Sequence, residues 1–170
     1  MSDSVIIGIR FIVIVCFQVL ILKNIDINFA SFQYFHLIIY PLFVMLLPVR
    51  TSKPLVIFLA FLGGMCVDLF YDSPGIHASA ATLIGFIRPN VLKLIEPVEG
   101  FGVSDTPGFK SLGFGPFLIY AAIMLFVYLL FYFSVEAFSF LYLGDILLRT
   151  IFSFIVSVVL LVLVQLIFRI

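Results

Sequence analysis

Four ionisable side chains fall inside one apolar stretch, "FLGGMCVDLFYDSPGIHASAATLIGFIRP" (61–89): Asp68, Asp72, His77 and Arg88. A carboxylate, an imidazole and a guanidinium could move protons, hold a ligand or bond one helix to another. Catalytic constellations fail one by one. Ser73, His77 and Asp68 can be drawn as a triad, but nothing beside them fixes a nucleophile or an oxyanion site. No HExxH occurs, and "GFKS" (108–111) lacks the glycine spacing and the GK[ST] order of a phosphate loop. Cys16 and Cys66 lie in separate apolar runs with no CxxC or metal spacing, and read as small buried apolar residues. No catalytic residue, cofactor or metal is expected, and the chain reads as non-enzymatic.

The elements that must carry these groups follow from composition. Of 170 residues 64% are apolar and 11% charged, with a mean hydropathy of +1.33. A soluble domain averages roughly 45–50% apolar and about 25% charged residues. Lipid must therefore cover this surface. Nine basic residues balance nine acidic ones with no block of like charge, which argues against a nucleic-acid partner.

A bilayer core of about 30 Å needs roughly 20 helical residues, and six segments approach that length: 5–22, 29–49, 54–71, 75–95, 116–136 and 145–168. The expected fold is all-α, one polytopic bundle of about six transmembrane helices spanning 1–170. Arg10 interrupts the first run and no A-x-A site follows, so it reads as a retained span and not a signal peptide. The second span must begin near Phe29 and kink at Pro41. A fourth helix stopping at Arg88 would reach only roughly 21 Å, so the span either kinks at Pro89 and continues to about Ile95 or has its end lying along the interface. "PVEGFGVSDTPGFKSLGFG" (97–115), with five glycines and two prolines, reads as a loop. With the N-terminus inside, Arg10, Arg50, Lys53, Arg88, Lys93, Lys110 and Arg169 group toward the cytoplasm, against Lys23 and Arg149. Both termini and the loop 97–115 are then cytoplasmic.

In that frame 61–89 is a helical hairpin turned outside the membrane by Asp72-Ser73-Pro74-Gly75. His77, Ala81, Gly85 and Arg88 share one helix face; Ala60, Gly64 and Asp68 recur at intervals of four on the other helix, beside Gly63. Small residues at that interval let backbones approach closely. Asp68 and His77 have three open uses: a polar clasp of carboxylate and imidazole across the hairpin, a partner contact at the outer rim, or a proton or substrate pathway. Arg88 is either a cytoplasmic anchor or the holder of an internal partner.

The hairpin resembles that of the MreD family, a multi-pass subunit of the bacterial rod-shape (cell-elongation) machinery. The resemblance rests on its glycine pair (Gly63, Gly64), apolar-Asp step (Asp68), short turn (Asp72, Pro74, Gly75), His-Ala start (His77) and Arg-Pro end (Arg88, Pro89), with "QVLILKNI" (18–25) and "YPLFVMLLP" (40–48) in support. It implies a non-enzymatic protein of the bacterial cytoplasmic (inner) membrane. Its implied partners are an MreC-like single-span protein, the MreB filament, and a RodA-type glycosyltransferase with its transpeptidase. It also implies a fold similar to the six-helix substrate-binding subunits of ECF-type vitamin transporters.

A membrane adaptor and a small-molecule carrier are therefore the two functional readings. A carrier would draw polar groups from Asp68, His77, Gln33, His36 and Glu136. Against it, those transporter subunits dock their energising module through small residues four apart on the first helix, whereas here Gly8 is followed by Ile12.

Overall fold

A computed structural model describes residues 3–22, 36–97, 100–102, 106–138 and 142–168, with side chains from residue 7 to 167. Every regular element among them is helical. These are α1 (Asp3–Phe17), continued by a π-helical turn (Gln18–Leu22), α2 (Pro41–Met45), α3 (Lys53–Tyr71), α4 (Ile76–Leu94), α5 (Phe109–Leu112), α6 (Phe114–Ala137) and α7 (Leu143–Phe168).

Three stretches, Lys53–Tyr71, Phe114–Ala137 and Leu143–Ile167, are long and apolar enough to cross a membrane. This is the architecture of a membrane-embedded helical protein. The burial pattern agrees: Leu69, Phe86, Ile155 and Leu163 are exposed while Gln18, Arg88, Ser153, Ser157 and Gln165 are buried. That inverts the arrangement of a water-soluble domain. Ile7–Leu22 is apolar but shorter, and α4 carries Arg88, Asn90 and Lys93.

α4 sits at the centre, packed against α3, α6 and α2, with α7 outside α6. Small residues put it there. Gly64 of α3 lies so near α4 that a Cβ on it would stand 2.6 Å from the Ala78 nitrogen and 2.7 Å from the His77 oxygen. A Cβ on Gly85 would meet that of Ala60 at 3.1 Å. Gly63 takes the Phe11 ring of α1 instead. Ala81 is wholly buried on the same side of α4. α4 runs through Pro89 to Leu94, and the helix does not end at the proline.

The expected second helix, 29–49, is not continuous. Residues 29–35 lie outside the described ones, and over 36–49 only Pro41–Met45 is helical. Pro41 stands at the first helical position, which suits a residue without an N–H. Pro48 follows three residues after Met45, where no helix can continue without losing a bond. Upstream, the amides of His36, Ile38, Ile39 and Tyr40 bond to side chains from elsewhere, as the site below describes. The loop 97–115 also differs from expectation: it contains the single turn α5, and α6 starts at Phe114.

Candidate functional site

Asp68 closes the hairpin. Asp72 (φ 52°) and Gly75 (φ 85°) hold the left-handed conformations that reverse the chain between α3 and α4. Glycine adopts such a φ freely, whereas aspartate does so at some expense. The reversal aims the first turn of α4 at the Asp68 carboxylate. Its Oδ1 accepts from the His77 amide (3.0 Å) and the Ser73 hydroxyl (2.9 Å), and its Oδ2 from the Ala78 amide (2.9 Å). The first amides of a helix lack intrahelical partners and carry its positive dipole end. A side chain nine residues upstream thus caps α4, and the negative charge sits where the helix favours it. Asp72 and Pro74 stay exposed at the tip.

The expected clasp between carboxylate and imidazole takes a different form. Asp68 holds the backbone of His77, while the His77 ring turns inward. Its Nδ1 lies 2.7 Å from the Tyr128 hydroxyl, which lies 2.8 Å from that of Tyr40, and Tyr40 donates to the His77 carbonyl at 3.0 Å. This closed chain orders its protons. The one proton of Tyr40 goes to the carbonyl, so Tyr128 donates to Tyr40. The Tyr128 oxygen then accepts from Nδ1–H. His77 therefore carries a proton on Nδ1. Nε2 is buried and has no partner among the described residues. Tyr132 lies against the ring at 4.7 Å between centroids and Tyr71 meets it edge-on at 5.1 Å.

Beside this cluster runs the non-helical segment of residues 36–40. Gln18, wholly buried in the π turn, accepts from the amides of Ile39 (2.8 Å) and Tyr40 (3.3 Å) and donates to the Leu37 carbonyl (2.8 Å) and the Tyr71 hydroxyl (2.8 Å). From α7, Ser153 accepts from the His36 amide (3.0 Å) and Ser157 from the Ile38 amide (3.2 Å). Irregular backbone at membrane depth survives only when protein groups satisfy it in this way. His36 faces Tyr132 and Phe133, with its Nδ1 buried and unpartnered among the described residues.

Arg88 forms a second polar layer, about 16 Å along α4 from His77 at helical rise. It is 1% exposed and donates to the carbonyls of Met45, the last residue of α2, and of Leu47, two residues beyond it. Tyr120 also donates to the Met45 carbonyl (3.1 Å). No carboxylate lies within ion-pair distance of Arg88 among the described residues. Arg88 thus has an internal partner and does not serve as an exposed anchor.

Of the hairpin residues named from sequence, the structure unites Gly64, Asp68, Asp72, Gly75, His77 and Ala81 at one end, and places Gly85, Arg88 and Pro89 deeper in α4. Glu136 pairs with Arg149 (3.6 Å) between α6 and α7, apart from Asp68. Gln33 lies outside the described residues. Sequence reasoning passed over Gln18, Tyr40, Tyr120, Tyr128, Tyr132, Ser153 and Ser157. A signal was present: Tyr128 and Tyr132, and Ser153 and Ser157, recur at intervals of four within apolar runs. No group of three His, Cys, Asp or Glu that could hold a metal occurs among the described residues. No protein-family model, curated protein or solved structure matches the chain.

Proposed function

We propose that this chain is a non-enzymatic subunit of the bacterial cell-elongation complex, of the MreD kind. It lies in the cytoplasmic membrane with six crossings and with both termini and the loop 97–115 inside. It scaffolds an MreC-like single-span protein and a RodA-type glycosyltransferase with its transpeptidase, and links them to the MreB filament.

The observation that supports this reading most is how the charges of the hairpin are used. Asp68 is committed to the first turn of α4, Arg88 to the carbonyls at and just beyond the end of α2, and Gly64 to backbone contact. Such groups build a stiff element and leave its exposed tip, Asp72 and Pro74, available for contact. The test pairs extraction with phenotype. Detergent extraction recovers the chain together with an MreC-like protein. Asp68→Leu or Gly75→Leu disturbs rod shape more than Lys110→Ala does. Normal rods from both hairpin variants at normal protein level refute the proposal, as do reporters at residues 74 and 105 on one side of the membrane.

A carrier is the second reading. It is favoured by the buried Nδ1 of His36 and Nε2 of His77, whose rings both lie near Tyr132 and which have no partner among the described residues, so a small ligand could bond to them. A thermal-shift screen with vitamins separates the two: a strong stabilisation by one compound selects the carrier.

A further inference from the structure

We propose that the open groove between α3 and α4 seats one acyl chain of an anionic glycerophospholipid, with the lipid phosphate at Lys53. The groove, open along its length, offers about 550 Å³ and is lined by Lys53, Pro54, Ile57, Phe58 and Phe61 of α3 and Thr82 of α4. Volumes of about 300–1,000 Å³ are those of small-molecule clefts. Its wall offers a hydrocarbon surface. The Thr82 hydroxyl already donates to the Ala78 carbonyl at 2.7 Å, so it presents little beyond its methyl group.

From Lys53 to Phe61 the helix rises about 12 Å. A single leaflet of a 30 Å hydrocarbon core is about 15 Å deep. A chain lying along this groove therefore runs from the membrane surface through most of one leaflet.

The charge at the mouth selects the headgroup. The Lys53 ammonium is held 3.8 Å from the centroid of the Phe86 ring, which fixes it at one end of the groove. Arg50 is exposed three residues earlier on the turn that leads into α3. Among the described residues no acidic one lines the groove. Two cations and no anion suit a phosphate whose headgroup adds no positive charge, and disfavour one that carries an ammonium or choline. Basic residues at the end of a membrane helix attract anionic lipid in this way. The inference needs only a membrane location, not the cell-elongation reading.

The test is native mass spectrometry of the full chain, released from detergent with equal phosphatidylglycerol and phosphatidylcholine of identical acyl chains. Phosphatidylglycerol adducts should exceed phosphatidylcholine adducts by about fivefold, the factor one surface lysine contributes. Lys53→Gln should reduce the preference and Lys53→Gln with Arg50→Gln should bring the two to parity, Lys53→Arg should retain the preference, and Thr82→Phe, which fills the groove, should reduce both adducts. Parity in the unaltered chain overturns the proposal. So do a preference undiminished by Lys53→Gln, lipid binding untouched by Thr82→Phe, and a lipid-free dimer that would place a second copy in the groove.

Discussion

Asp68 and Arg88 are opposite charges buried to nearly the same degree, at 5% and 1% exposure, and each is met by a helix end in place of a counter-ion. The carboxylate sits at the N-terminus of α4, where amides point outward. The guanidinium sits beyond the C-terminus of α2, where carbonyls do. Both positions follow the sign of the helix dipole. They differ in reach: Asp68 bonds residues five to ten positions away, whereas Arg88 reaches 41 and 43 positions back. The first charge closes a local turn. The second ties two separate parts of the chain, and only after both are in place.

That contrast can be broken at graded strength. The largest effect belongs to Gly64→Leu, because any Cβ there collides with the α4 backbone. Neither layer can then form; little monodisperse protein should elute on size exclusion, and a normal yield would show that the helices can separate at no loss. Asp68→Leu leaves two helix amides and the Ser73 hydroxyl without their acceptor. Bonds to a charged group are worth about 1.5–3 kcal/mol each, so unfolding in SDS should shift by about 3 kcal/mol or more, with Asp68→Asn recovering part of it. Arg88→Gln should weigh less, about 1–3 kcal/mol, since Tyr120 still serves the Met45 carbonyl. An Arg88 variant more damaging than Asp68→Leu would reverse the ranking of local and distant ties. Tyr128→Phe is the mildest, about 1 kcal/mol. It should also free the His77 tautomer, visible as a redistribution of the two imidazole nitrogen-15 signals.

How much of this could be read in advance follows the same division. The hairpin was legible because turn residues, small residues and Asp68 lie within a few turns of one another, so helix periodicity alone places them. The partners of His77 were not, since Tyr128 is 51 positions away, on a helix whose composition is simply apolar. The break over 36–40 was hidden for a like reason. Proline at 41 signals a disturbance, but nothing local says that Gln18 and two serines of α7 will take over those amides. Hydrophobic run length counts candidate crossings and is blind to backbone that distant side chains support.

The serine pair of α7 carries a consequence for biosynthesis. Ser153 and Ser157 lie 117 and 119 positions after the amides they receive. At a synthesis rate of about 5–20 residues per second, roughly 6–24 s separate the emergence of His36 and Ile38 from that of their acceptors. During that interval the nascent chain must keep those amides in water, in lipid headgroups or in the insertion machinery. Entry of this segment into its final place is therefore the closing act of assembly, and a chain halted before α7 remains open at its centre.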